Sequence, residues 1–206
     1  MNWENAILWY VTFVISVTVH EAAHAAVALL GGDRTAYHTG QVSLNPVPHI
    51  RQEPLGMVVL PLVSIYLNGW PFGFAKTPYD PIWAHHNPRK ASLMAAAGPL
   101  SNVALAAIAF GVLWLVGRVE SGSEEAVQRI AWSFLFLNVI LALFNCIPLP
   151  PLDGAGVVKG LARPLRAFYE RLEMLPWIVI VTFIVANWAL PSIATPVLDF
   201  ITDRLP

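Results

Sequence analysis

Residues 20–24 read His20-Glu21-Ala22-Ala23-His24. At 3.6 residues per helical turn, positions four apart share a face, so both imidazoles can meet a single cation. Glu21 is offset from them and can reach a water at the same ion. This is the H-E-x-x-H arrangement, in which two histidines bind zinc and the glutamate is a general base. Two histidines and a glutamate could also be packed in a helix bundle without function. Location speaks against that, because the surrounding stretch 5–30 holds no other Asp, Glu, Lys or Arg.

Catalytic zinc usually has three protein ligands, so a third is required. Asp153 lies in Pro150-Pro151-Leu152-Asp153-Gly154. The prolines stop regular helix, and the glycine permits a turn that can aim the carboxylate inward. A surface Asp-Gly turn is the plainer reading. The need for a third ligand near His24 favours ligation by Asp153. Asn102, Asn138 and Asn145 are amides inside apolar stretches. Such an amide can bond a neighbouring helix or steady an oxyanion. Asn102 and Asn145 are read as substrate or oxyanion contacts and Asn138 as packing. His38, His49, His85 and His86 read as loop residues, and Cys146 as a small buried apolar residue.

The elements that must hold these residues are apolar. Of 206 residues, 56% are hydrophobic and 12% charged, and the mean hydropathy is +0.59. A soluble domain carries about 25% charge. The composition excludes a disordered chain, a net charge of −1 gives nucleic acid nothing to bind, and one cysteine excludes a disulfide framework. Stretches 5–30, 91–117, 130–150 and 176–198 approach the roughly 20 apolar residues of a membrane span. Glu21 is the only Asp, Glu, Lys or Arg in any of them. A carboxylate at that depth costs about 3 kcal/mol on insertion scales and is functional by default. The stretch 55–75 is also uncharged but contains Pro61, Gly69, Pro71 and Gly73. It reads as a re-entrant helix with an extended returning loop. The expectation is an all-α polytopic membrane protein of one domain, 1–206, with four full spans, one re-entrant element and small β content near the active site.

Nine basic residues (Arg34, Arg51, Lys76, Arg89, Lys90, Lys159, Arg163, Arg166 and Arg171) fall in loops on one face if 55–75 does not cross. Arg118, Arg129 and Arg204 flank the other ends. The positive-inside rule then makes the first face cytoplasmic and puts the N-terminus outside.

Three blocks together resemble the site-2 protease family of intramembrane zinc metalloproteases. They are HEAAH, Ala97-Gly98-Pro99-Leu100-Ser101-Asn102, and the run from Asn145-Cys146-Ile147-Pro148 through Leu152-Asp153-Gly154. The segment 40–50, Gly69-Trp70, Ala75-Lys76-Thr77-Pro78 and Asn87-Pro88-Arg89-Lys90 resemble compact bacterial members without PDZ or CBS domains. The resemblance covers about 20–155; the last span is generic. It implies one zinc per chain held by His20, His24 and Asp153, with Glu21 as base. It also implies transmembrane segments of other proteins as substrates, and the plasma membrane of a prokaryote. The chain departs from the family's Gly-Trp-Ala-Lys-Pro pattern: Pro-Phe-Gly-Phe separates Trp70 from Ala75, and Thr77 precedes Pro78. The extended segment 68–78 is expected to pair with an unwound substrate by strand addition. Two alternatives stand beside this reading. A membrane metalloprotease of another HExxH class would not depend on Asp153. A metal transporter would carry acidic residues in more than one span.

Overall fold

The computed structural model describes residues 3–117 and 124–206. Four helices are long and apolar enough to cross a membrane: α1 (Trp3–Gly31), with α6 (Pro88–Val116), α7 (Glu125–Asn145) and α10 (Ile178–Thr202) further along. Between α1 and α6 lie α2 (Thr35–His38), α3 (Pro46–Gln52), a π-helical turn (Leu55–Val59) that runs into α4 (Leu60–Asn68), and α5 (Pro81–His86). Between α7 and α10 lie α8 (Asp153–Leu161), a 3-10 turn (Arg163–Leu165) and α9 (Arg166–Glu173). The chain is an all-α polytopic membrane protein. At 1.5 Å per residue α1 is roughly 43 Å long, enough for a hydrocarbon core of about 30 Å.

Hydrogen bonds between helix ends fix the topology. The Gly31 carbonyl, at the end of α1, accepts from Trp83 Nε1 at 3.1 Å and from Lys90 Nζ at 3.0 Å. The end of α1 and the start of α6 therefore lie side by side. The whole segment 32–87 leaves and rejoins one end of the bundle. Within it, Leu55–Asn68 makes a rod of only about 21 Å, too short to cross. Gly69 ends that rod in a left-handed conformation (φ 81°), which glycine adopts without strain. At the opposite end of the bundle, Arg129 of α7 donates to Asn5 of α1 at 2.6 Å. The nine loop cations named above all lie in segments at the Gly31 end. Arg129 and Arg204 lie at the other end, and Arg118 falls outside the described residues.

Small residues let the helices approach closely. Ala106, Ala109 and Leu113 of α6 are buried against Ala131, Leu135 and Val139 of α7, with Val197, Leu198 and Ile201 of α10 packed on them. A second cluster joins Phe13 and Val17 of α1, Met57 of the π-helical turn and Leu137 of α7.

Two expectations need correction. The span read as 130–150 is helical from Glu125 to Asn145, because the prolines at 148, 150 and 151 end regular helix earlier than hydropathy does. No strand occurs among the described residues, so the small β content expected near the active site is not found. Residues 71–80 have no regular secondary structure, and their backbone is held by a side chain and a π-helical turn, not by a strand. Phe72 N–H donates to Ser64 Oγ at 2.7 Å, and Phe74 N–H donates to the Gly56 carbonyl at 3.1 Å. That contact requires Gly56, where a Cβ would collide with the Phe74 carbonyl.

Candidate metal centre

His20 and His24 lie one turn apart on α1, both buried, with their Nε2 atoms 3.0 Å apart. Each ring is anchored through its other nitrogen. His20 Nδ1 bonds Asn102 Oδ1 of α6 at 2.6 Å, and His24 Nδ1 bonds the Met94 carbonyl of α6 at 2.6 Å. Both partners are acceptors, so each Nδ1 carries the proton and donates. In the neutral tautomer both Nε2 atoms are then bare lone pairs turned toward each other.

Asp153 opens α8 and approaches from the other side. Its Oδ2 lies 3.0 Å from His20 Nε2, and its Oδ1 lies 3.3 Å from His24 Nε2. Oδ2 is buried and has no hydrogen-bond donor. The loop before Asp153 is held from two elements. Tyr169 of α9 donates to the Pro148 carbonyl at 3.0 Å, and Thr182 of α10 donates to the Pro150 carbonyl at 2.5 Å. Gly154 makes the tight return possible, since a Cβ there would strike the Cys146 and Ile147 carbonyls.

Three acceptors thus converge with no donor between them. One proton can bridge one pair of them, whereas a divalent cation satisfies all three at once. One ligand atom from each residue lies within 4.8 Å of the others. Atoms bonded to one tetrahedral zinc at about 2.0–2.1 Å stand roughly 3.4 Å apart, close to the observed separations. Gly98 of α6 faces the same point: a Cβ there would collide with Nε2 of both His20 and His24. Nitrogen and carboxylate donors of this kind suit zinc. By donor set, spacing and the bare cradle at Gly98, these residues fit the ion.

Comparison with known proteins gives a close relative. The chain is 34% identical over 181 residues to a protein named "Putative zinc metalloprotease YwhC" from Bacillus subtilis (strain 168), a match spanning 85% of this chain and 78% of that protein. This chain belongs to that zinc metalloprotease family. It is also 29% identical over 153 residues to "Putative zinc metalloprotease Rip2" of Mycolicibacterium smegmatis, spanning 74% of this chain and 56% of that longer relative. A shorter match, 39% over 75 residues, is to "Putative zinc metalloprotease MJ0611" of Methanocaldococcus jannaschii. No family profile and no solved structure matches the chain.

For a member of this zinc metalloprotease family, the remaining polar residues fall into unexpected places. Glu21 is buried on α1, and Thr77 donates to its Oε2 at 2.7 Å. Asn102 backs a ligand: its Oδ1 accepts from His20 Nδ1 at 2.6 Å, and one N–H of its Nδ2 donates to Asn138 Oδ1 at 2.8 Å. Asn138 links neighbouring helices: its own Nδ2 donates to Ser16 Oγ of α1 at 2.9 Å and to the Phe134 carbonyl at 2.8 Å. Asn145 is half-buried and donates to the Leu141 carbonyl of its own helix at 3.0 Å. His49 is buried against the Ser43 carbonyl, away from the cluster, while His85 and His86 are exposed. An intramembrane amide was the available signal for Asn138; for Thr77 there was only its place before Pro78.

Proposed function

We propose that the protein is an intramembrane zinc metalloprotease, of the site-2 protease kind, that hydrolyses peptide bonds within or near transmembrane segments of other membrane proteins. The carrying observation is one of depth. His20, Glu21 and His24 lie inside α1, where Asp153 of α8 meets them, with His20 eleven residues from Gly31, or about 16 Å of helix.

His20 and His24 would hold one zinc through Nε2, and Asp153 through its carboxylate. Bound there, zinc supplies Lewis acidity, polarising a carbonyl and lowering the pKa of water to about 7. The chain's own residues do the rest. Asn102 and the Met94 carbonyl fix the tautomer and direction of the two rings. Glu21 accepts the proton of the attacking water on a carboxylate oxygen and passes it to the nitrogen of the leaving amine. Because a helix has its backbone bonds satisfied, a substrate must unwind before it can be cut. Phe72 and Phe74 cannot help with that, since their N–H groups are already bonded. Gly73 and Ala75 alternate with them and have no backbone partner among the described residues. An unwound segment would pair there.

The nine cations at the Gly31 end make that face cytoplasmic by the positive-inside rule. The N-terminus would then be outside, with the metal centre toward the cytoplasm of a prokaryotic plasma membrane. Comparing the membrane proteomes of cells carrying the wild type and Glu21→Gln tests the proposal. Membrane-spanning fragments or uncut precursors should accumulate with Glu21→Gln; identical proteomes would reject it.

A further inference from the structure

Glu21 is supported differently from the histidines beside it. Helices hold the two rings, but the carboxylate is touched by the irregular segment that returns from α4. Thr77 is buried there, and its hydroxyl lies 2.7 Å from Glu21 Oε2 and 2.9 Å from the Glu21 carbonyl. A hydroxyl has one proton. The shorter distance and the negative charge both favour the carboxylate, and such charge-assisted bonds are the stronger kind. Oε1 makes no hydrogen bond among the described residues.

The geometry points to Thr77 as a positioning residue for the general base: its hydroxyl holds Oε2 so that Oε1 faces the attacking water. This rests on the reading of Glu21 as base given above. Local chemistry prepares the contact. Pro78 biases Thr77 toward extended backbone, and the β-branched side chain has restricted χ1. The segment is pinned on both sides. Phe72 and Phe74 are bonded to Ser64 and Gly56, and Asp80 N–H donates to Asp33 Oδ2 at 2.8 Å. Asp33 follows α1 directly, so Glu21 and its clamp are referred to the same helix.

Three variants separate a positioning hydroxyl from a structural tether. Thr77→Val keeps the shape and removes the donor, Thr77→Ser keeps the donor, and Thr77→Ala removes both. The substrate is a peptide carrying a transmembrane segment recovered from Glu21→Gln cells, in liposomes with purified protein. Thr77→Val and Thr77→Ala should lower kcat about 10- to 100-fold with KM nearly unchanged, as expected for a misplaced reacting group. Thr77→Ser should recover most of the rate. Zinc content should be the same in all. Independently of activity, the infrared carboxylate band of Glu21 in metal-free protein, isolated by subtracting the Glu21→Gln spectrum, should shift in Thr77→Val and not in Thr77→Ser. The inference is overturned if Thr77→Val matches the wild type while Glu21→Gln is inactive, if Thr77→Ser is as impaired as Thr77→Ala, or if the band does not move. If Thr77→Val loses zinc or unfolds, the Ser and Ala pair decides. Wild-type cleavage by Glu21→Gln would instead remove the protease reading itself.

Discussion

The two walls of the metal centre are built by different means. On one side His20 is backed by a chain of side chains from three helices: His20 to Asn102 to Asn138 to Ser16. Both amides in it are bonded through oxygen and nitrogen, and each bond sets the orientation of the next. On the other side Glu21 meets a single hydroxyl on chain without regular structure. The difference matches two tasks. Ligands are needed in one geometry at all times, and in a low-dielectric interior a hydrogen-bonded network supplies rigidity. A base must face water and substrate, and the support of Glu21 comes from the segment proposed above to pair with an unwound substrate.

Gly98→Ala should break the ligand wall most completely, because the new methyl takes the space between the two Nε2 atoms. Metal analysis should find zinc lost and cleavage abolished; a fully loaded, active Gly98→Ala protein would show that α6 does not border the metal. Glu21→Gln attacks the other wall alone. It should retain zinc and lose at least about 100-fold in rate, the usual worth of general acid–base catalysis. Loss of zinc in that variant would mean the two walls are not separable.

Asn102→Ala sharpens the contrast, since it leaves His20 Nδ1 without its acceptor. Zinc affinity in competition with a chelator should fall about 10- to 100-fold, the usual effect of losing an outer hydrogen bond to a ligand. Asn138→Leu, one bond further out, should cost less. Equal losses in the two would argue against a relay of orientation.

The smallest effect concerns the anchor of the base's segment. Burial tends to raise the pKa of Asp33, but bonds from the Thr35 hydroxyl and N–H and from Asp80 N–H outweigh it and hold the carboxyl below the usual range. A group whose folded pKa is depressed stabilises above its unfolded value, near 3.9, and loses that stability as pH falls through the folded value. Asp33→Asn should therefore lower the melting temperature at neutral pH, and the gap to wild type should close in acid. A gap independent of pH would deny the carboxylate this role.

The ligand wall was largely legible before the fold. A helix of known period places His20 and His24 on one face, and a lone carboxylate in an uncharged span announces chemistry. Asp153 followed from the need for a third ligand beyond a helix-ending run of prolines. The spans were legible because hydropathy and length speak directly to a bilayer. Facing was harder to read. Asn102 stands at the right depth, but spacing along α6 does not say whether an amide points at the metal or behind a ligand. The base's wall was hardest. Pro61, Gly69, Pro71 and Gly73 announce irregular backbone without saying which donors remain free, so the pairing at Phe72 and Phe74 emerged only from tertiary packing. The last span looked generic because Thr182 acts on a carbonyl, and a backbone acceptor leaves no mark in the sequence.

Metal content tests most directly whether a zinc site is assembled inside the bundle from α1 and the start of α8. Protein purified in detergent and dialysed against trace zinc should carry about one zinc per chain. Asp153→Ala, folded as judged by its melting temperature, should lose most of it, and so should His24→Ala. A folded Asp153→Ala protein that keeps a full complement of zinc would contradict the account.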